Sequence, residues 1–264
     1  MTQVWIDGAL VDAADAAVSP FDHGLLTGDG VFETLRVYDG TPFAVRRHLE
    51  RLRRSADGLG LRLPDVDLRE AMEMVVAANG VSDARLRLTV TGGVAPLGSD
   101  RGDARPTAIA AVGSLPAWPA TTTDVVVPWR RNEHSAVAGL KTTSYAENVV
   151  ALAYANERGA GEALFLNTAG HLCEGTGSNV FLVLDGELVT PPLSSGCLAG
   201  ITRELVVELT GAAERDVPGD ALDRASEVFI TSSTREVQPV GRPGPVTADA
   251  IAALRALIAR DRDP

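Results

Sequence analysis

Hydrophobic and polar residues follow two different spacings in the first half of the chain. Apolar residues recur at helical spacing over residues 44–57 and again over residues 67–79, where Gly80 follows, and both stretches predict amphipathic helices. Strict alternation over residues 32–38 and 85–91 predicts two strands, and an Asp-Gly turn closes the first of them. The first half of the chain therefore predicts a mixed arrangement of helices and strands.

The second half predicts the same two kinds of element. The sequence Ser144-x-x-Glu147 is typical of a capping box and opens a helix that ends at Gly159. Residues 163–174 predict a hairpin, and residues 198–203 open a further helix. Between the halves, prolines at positions 116 and 119 stiffen an extended linker, which predicts two domains.

Composition restricts the possible environment and partners of the protein. A chain of 264 residues is long enough for one large domain or two small ones. A net charge of -11 argues against a nucleic-acid or anionic membrane surface. The two cysteines, Cys173 and Cys197, have no metal-ligand spacing and predict buried thiols in a reducing compartment. We expect no signal peptide and no membrane span, and therefore a cytoplasmic protein. Because the cysteines lack ligand spacing, we also expect no metal.

One basic residue differs from all the others. The chain has 24 basic residues, and Lys141 is the only lysine among them. Arginine is never deprotonated in proteins, whereas lysine can lose its proton and attack a carbonyl group, as Schiff-base lysines do with carbonyl substrates and pyridoxal phosphate (PLP). Lys141 precedes the capping box by three residues, so we expect it on a tethered turn. The alternative is a single exposed lysine left by an arginine-rich composition.

Two further groups of residues have a structural and a functional interpretation. Alternation puts Phe32, Thr34 and Arg36 on one face of a strand, which is either the wall of a cleft or an ordinary solvent face. Ile201 and Thr202 follow a glycine at a helix N-terminus. Free N–H groups and the positive end of the helix dipole suit a phosphate there, although an ordinary threonine cap is the simpler interpretation.

Together, several short motifs resemble the class IV aminotransferases, which are PLP enzymes of fold type IV. The family includes branched-chain aminotransferases, D-amino acid aminotransferases, (R)-amine transaminases and 4-amino-4-deoxychorismate lyases. The motifs that carry the resemblance span nearly the whole chain: Gly28-Asp29-Gly30-Val31-Phe32-Glu33, His48-Leu49-Glu50-Arg51-Leu52, Lys141, Glu174-Gly175 with Ser178-Asn179-Val180-Phe181, Gly200-Ile201-Thr202-Arg203, and Ser233-Thr234.

The resemblance implies an architecture. It implies an α+β protein with a small α/β domain at residues 1–115, a linker at 116–121 and a larger pseudo-barrel domain that binds PLP at 122–264. It also implies a homodimer, in which loops of the second subunit contribute to a site between the domains.

The resemblance also implies a site. Lys141 would bind PLP covalently and move the substrate proton, and Glu174 would face the pyridine nitrogen and keep it protonated. The remaining cofactor contacts would be Arg51, Tyr145, Leu198, Ile201, Thr202 and Ser233. The substrate contacts would be Phe32, Thr34, Arg36, Arg87 and Thr234, with Arg101 as a further candidate for the substrate carboxylate.

The chain departs from its relatives in the substrate pocket. D-amino acid aminotransferases have an Arg-x-His carboxylate trap where this chain has Leu97-Gly98-Ser99, and branched-chain enzymes have a tyrosine where it has Thr27. We therefore expect a transaminase that pairs D-amino acids such as D-alanine or D-glutamate with an α-keto acid and binds their carboxylate at a different arginine. The alternatives are a 4-amino-4-deoxychorismate lyase, which eliminates pyruvate, and a non-catalytic binding protein.

Overall fold

The computed structural model describes residues 2–264, and these residues form two compact units. The first contains the chain up to Pro116 together with Leu140–Tyr145 and Asp261–Pro264, and the second contains Ala117–Gly139 and Ala146–Arg260. The chain first passes from one unit to the other at the proline-containing segment that the sequence predicts as a linker. Lys141 belongs to the first unit, because the chain returns there before the second unit continues.

The first unit is a sheet covered by helices on one face. Its strands are β1 (Gln3–Ile6), β2 (Ala9–Asp12), β3 (Gly30–Tyr38), β4 (Thr41–Pro42), β5 (Ala84–Thr91) and β6 (Thr107–Gly113). Its helices are α1 (His23–Leu26), α2 (Val45–Gly58) and α3 (Leu68–Asn79). The strand order is β2-β1-β6-β5-β3-β4, and every neighbouring pair is antiparallel.

Alternation along β3 separates the two faces of this sheet. Val31, Leu35 and Val37 are fully buried in the core that α2 and α3 complete. The intervening residues Phe32 and Thr34 lie on the opposite face, because successive side chains of a strand point to opposite sides. The shared face that the sequence predicts for Phe32, Thr34 and Arg36 is therefore present.

Residues near the end of the chain cap the N-terminus of α2. Ala44, the residue before this helix, has a left-handed backbone (φ 56°), and no side-chain cap is formed there. Instead, the Ala44 N–H donates to the carbonyl of Arg262 (2.7 Å) and the Arg46 N–H donates to the carboxylate of Asp263 (2.8 Å). Arg69 from α3 pairs with the same carboxylate at 2.8 Å. A distant segment thus satisfies N–H groups that a local cap normally satisfies.

The second unit contains two sheets and three longer helices. Its strands are β7 (Asp124–Arg131), β8 (Glu162–Asn167), β9 (Leu172–Gly175), β10 (Asn179–Leu184), β11 (Glu187–Thr190), β12 (Ala213–Glu214), β13 (Glu227–Ser232) and β14 (Glu236–Val240). Its helices are α4 (Ala146–Glu157), α5 (Ile201–Thr210) and α6 (Pro245–Arg260), with 3-10 turns at Leu193–Ser195 and Gly219–Arg224. The sheets have the orders β7-β8-β9 and β12-β11-β10-β13-β14.

Each sheet of the second unit brings one predicted segment into place. The predicted hairpin of residues 163–174 is present, because β8 and β9 pair antiparallel and put Glu174 opposite Phe165. In the other sheet β13 and β14 form a hairpin whose turn carries Ser233 and Thr234. Within residues 2–264, no helix combines the length and the apolar character needed to cross a membrane.

Candidate active site

The backbone around Lys141 is bound to the edge of β3. The Phe32 N–H donates to the Lys141 carbonyl at 3.1 Å, and the Thr143 N–H donates to the Gly30 carbonyl at 2.8 Å. The Thr143 hydroxyl also donates to the Gly28 carbonyl at 2.7 Å. Lys141 is therefore tethered, as the sequence predicts. The tethered segment is extended and lies beside β3, and it is not a turn.

The amine of Lys141 lies against two aromatic rings. Nζ is 3.4 Å from the hydroxyl oxygen of Tyr145 and 4.3 Å from the centre of the Phe32 ring. The rings of Phe32 and Tyr145 meet edge to face with their centres 5.1 Å apart, an arrangement that fixes both. The lysine is thus not a loose surface residue, and the Tyr145 hydroxyl lies beside its amine.

Arg51 is one member of a buried charged triad. Its guanidinium binds Glu33 through two hydrogen bonds of 2.9 and 2.6 Å, and His48 Nδ1 lies 2.6 Å from the same carboxylate. Burial by itself would raise the pKa of Glu33, but the charges and hydrogen bonds of Arg51 and His48 lower it to about 2. Burial lowers the pKa of His48, with Glu33 opposing that shift. Arg51 is consequently a fixed cation.

Two of the three arginines considered for the substrate carboxylate already bind a carboxylate of the protein. Arg36 binds Asp83 through two hydrogen bonds of 3.2 Å. Arg101 binds Asp29 through hydrogen bonds of 2.7 and 2.6 Å. Paired donors of this kind match a carboxylate closely, so a substrate would have to displace an existing partner at either position.

Arg87 differs from these two. Its guanidinium lies 3.7 Å from the centre of the Phe32 ring, and its Nε donates to the Thr89 hydroxyl at 3.1 Å. It faces Thr34 across the sheet. None of the described residues provides a carboxylate partner for it. Its side chain retains access to solvent, while the surrounding protein atoms lower its pKa by desolvation. Arg87 and the amine of Lys141 thus contact the same aromatic ring.

In the second unit, Glu174 lies among several polar groups. Its Oε2 accepts the backbone N–H of Leu198 at 2.9 Å, and its Oε1 lies 3.4 Å from Nε of Arg131. Arg131 also pairs with Glu147 and rests on the ring of Phe165. The carboxylate is therefore held in one orientation. Arg131 could not be predicted from the sequence, because an arginine in a strand gives no local signal of an ion pair.

The N-terminus of α5 has the features of an anion site. Its capping residue is Gly200, which has no side chain to bond the first N–H groups, and Ile201 and Thr202 are its first two residues. A Cβ at Gly200 would lie 2.0 Å from Oδ1 of Asn179, so a larger residue would have to displace the Asn179 side chain. The simpler interpretation of Thr202 as the cap is wrong, because Thr202 lies inside the helix. The uncapped N–H groups and the helix dipole favour a phosphate.

These features fit PLP. Taken separately, the first unit has a lysine amine and a fixed arginine, and the second has an oriented carboxylate and an uncapped helix N-terminus. The lysine amine suits an aldehyde, the arginine and the helix N-terminus suit a phosphate, and the carboxylate suits a ring nitrogen. The fold and this set of groups define a PLP-dependent enzyme of fold type IV.

The match to a known family supports the same class of enzyme. Residues 30–242 match the family model of class IV amino-transferases, so the chain belongs to this family and its cofactor is PLP. It is 37% identical over 252 residues to a protein of Methanocaldococcus jannaschii named "Putative branched-chain-amino-acid aminotransferase", covering 90% of this chain and 86% of that protein.

Other relatives carry different activities in their names. An aminodeoxychorismate lyase of Bacillus subtilis is 32% identical, covering 89% of this chain and 85% of its own. A D-alanine aminotransferase of Bacillus licheniformis is 31% identical over 96% of both chains. The crystal structure of a branched-chain aminotransferase from Thermoproteus uzoniensis superposes with a TM-score of 0.91 at 31% identity, covering 97% of this chain and 94% of that one.

Proposed function

We propose that this class IV aminotransferase transfers the amino group between D-amino acids and an α-keto acid, and that Arg87 binds the substrate carboxylate. The observation that carries the proposal is the position of Arg87 on the ring of Phe32, whose centre is also 4.3 Å from Nζ of Lys141. Both cations contact this one ring, so a substrate carboxylate on Arg87 would lie no farther from the reactive amine than the two sides of the ring. The Arg-x-His trap of the D-specific relatives is then unnecessary.

Each residue of the site has a defined task. PLP, when bound, supplies an electron sink for the carbanion at the substrate α-carbon. Lys141 takes the proton from that carbon at Nζ, and the Tyr145 hydroxyl orients the amine. Glu174 holds a proton on the ring nitrogen.

The remaining cofactor contacts hold the phosphate and the ring. By the resemblance, we assign the phosphate to Arg51, which Glu33 orients, and to the first turn of α5 and Ser233, and we assign Leu198 to the face of the ring. Thr234 lies with Ser233 in the turn between β13 and β14, where we assign it to the substrate.

The preference for D-alanine and D-glutamate over branched-chain amino acids is inferred from the polarity of the open sheet face. A branched-chain substrate needs an apolar surface for its aliphatic side chain, whereas the open face of β3 and β5 carries Thr34, Thr89 and Arg87. An arginine that binds the substrate carboxylate contributes about 1.5–3 kcal/mol, which is roughly ten- to hundredfold in selectivity over an (R)-amine that has no carboxylate. The D-alanine aminotransferase relative supports the same conclusion. A branched-chain specificity is the second candidate, and the 37% identical relative favours it.

The decisive experiment follows the half-reaction of the PLP form by absorbance. D-glutamate and D-alanine should discharge the visible band faster than L-leucine or an (R)-amine. Arg87→Met should slow the reaction with D-glutamate by roughly ten- to hundredfold. Arg36→Met is the matched control, because Arg36 lies on the same sheet face but binds Asp83. Borohydride reduction followed by peptide mapping should locate PLP on Lys141.

The other outcomes identify the alternatives. If L-leucine reacts as fast as D-glutamate, the branched-chain specificity is correct. If neither reacts but aminodeoxychorismate yields 4-aminobenzoate and pyruvate, the enzyme is the lyase. A Lys141→Arg variant with wild-type turnover would contradict the role of the lysine.

We further propose that the active form is a cytoplasmic homodimer. Phe21, Leu25 and Leu97 are 51%, 69% and 74% exposed in the first unit. The Ala95 N–H donates to the Phe21 carbonyl at 3.3 Å, which joins the two segments that carry these side chains. A joined apolar surface of this kind is typical of an interface. Sedimentation velocity of the active enzyme should show a dimer, and an active monomer at assay concentration would contradict it.

A further inference from the structure

One face of α2 carries three buried polar residues. His48, Arg51 and Ser55 are spaced by three and four residues, so they lie in one stripe along the helix. The first two bind Glu33 of β3, as described above. Ser55 has another partner: its hydroxyl oxygen accepts the backbone N–H of Lys141 at 3.0 Å. Ser55 is 1% exposed, so its hydroxyl is shielded from bulk water.

The segment before Lys141 also contacts α2. A Cβ placed on Gly58 would lie 2.8 Å from both terminal carbons of Leu140, so Leu140 packs directly on the helix at this point. On its other side, the Lys141 carbonyl accepts the N–H of Phe32 at 3.1 Å. The peptide groups of Lys141 are therefore held by the helix through the N–H and by the sheet through the carbonyl.

We infer that Ser55 is a positioning residue that sets the place of Lys141 relative to Arg51. The inference rests on the proposed role of Lys141 as the lysine that binds PLP. Ser55 and Arg51 are separated by four residues, or about 6 Å along the helix axis. One rigid element therefore fixes both the cation assigned to the phosphate and the main chain of the lysine, so the separation between them does not depend on a flexible loop.

Loss of the Ser55 hydroxyl has a specific consequence. In Ser55→Ala the Lys141 N–H loses its acceptor, and we expect the segment to shift until the N–H finds another partner. A displacement of the reacting group by about 1 Å is sufficient to slow a reaction by about a hundredfold. The defect should therefore appear in the chemistry of Lys141 and not only in the stability of the fold.

The experiment measures the reaction of the lysine directly. Protein freed of PLP is mixed with PLP, and the appearance of the visible band is followed by stopped flow. Ser55→Ala should react roughly ten- to hundredfold more slowly than the wild type. Ser55→Thr keeps the hydroxyl and should restore most of the rate. Ser55→Cys keeps the volume but is a weak acceptor, and it should resemble the alanine variant.

The matched control is a buried hydroxyl elsewhere. Thr190 is fully buried and donates to the Val180 carbonyl at 2.8 Å, so Thr190→Val also removes one buried hydrogen bond. It should lower Tm without slowing the reaction with PLP. If Ser55→Ala behaves like Thr190→Val, with a lower Tm and a wild-type rate, Ser55 has only a structural role and the inference is overturned.

A second measurement separates this inference from the proposed function. Hydrogen exchange of the Lys141 amide requires no cofactor and should lose its protection in Ser55→Ala but not in Ser55→Thr. Unchanged protection in Ser55→Ala would overturn the inference. A wild-type protein with a protected amide that does not react with PLP would instead contradict the proposed function and leave the anchor in place.

Discussion

Replacing Glu33 by glutamine should destabilise the first unit more than any change to a surface ion pair. Glu33 is completely buried, and its carboxylate faces both Arg51, which is 4% exposed, and His48, which is 1% exposed. Glutamine has nearly the same shape but no charge, so the arginine would keep a buried positive charge without its counter-ion. Removal of one partner of a buried ion pair costs about 3–5 kcal/mol.

The low pKa of Glu33 reflects the same interaction. The pKa falls from 4.5 to about 2 on folding, although burial alone would raise it. That difference corresponds to about 3 kcal/mol at 1.36 kcal/mol per pH unit. Because the folded pKa is the lower one, this stability is fully present above pH 4.5 and is lost as the pH falls toward 2. The wild type should therefore lose stability in this window, and Glu33→Gln should lack that part of the pH dependence.

Thermal unfolding with Asp83→Asn as the control tests this reasoning. Asp83 also pairs with an arginine, but its side chain is 56% exposed, and exposed pairs contribute at most about 1 kcal/mol. For a chain of this size each kcal/mol corresponds to a Tm change of about 2–4 °C, so Glu33→Gln should lower Tm by about 6–20 °C. Equal Tm values for the two variants would refute the argument that the buried triad stabilises the protein.

Three further predictions concern other parts of the molecule. Burial raises the pKa of both thiols, that of Cys197 to about 11. Cys173 and Cys197 should therefore react with a thiol reagent only after unfolding, and rapid labelling of the native protein would contradict this. Asp263→Ala removes the acceptor at the start of α2 and should cost about 1 kcal/mol in chemical denaturation, whereas an unchanged midpoint would show that the cap is dispensable. Glu174→Gln should retain PLP but lose activity mainly in kcat, because the ring nitrogen would lose its proton. An unchanged kcat would mean that Glu174 has only a structural role at the end of its strand.

Local features of the sequence were sufficient to predict most of the secondary structure. The helical spacing over residues 44–57 and 67–79 corresponds to α2 and α3, and Gly80 ends the latter with a left-handed backbone (φ 58°). Alternation over residues 32–38 gave the faces of β3 correctly. These predictions succeed because backbone conformation and side-chain direction depend on residues a few positions apart. The motif order likewise predicted the family.

Caps and charge partners could not be predicted in this way. Thr247 predicts a local cap for the last helix, yet the structure places it inside α6. The carboxylate of Glu227, 20 residues away, accepts its N–H at 2.7 Å. From the sequence alone, three arginines are equally good candidates for binding the substrate carboxylate: Arg36, Arg87 and Arg101.

Only the tertiary structure distinguishes these three arginines. It brings Asp83 to Arg36 and Asp29 to Arg101, and it puts Arg87 on the ring beside Lys141. Ion pairs and hydrogen bonds act over a few ångströms between residues that are distant in the chain. Periodicity therefore determined the elements, whereas the folded arrangement of those elements decided which of these three arginines have a carboxylate partner among the described residues.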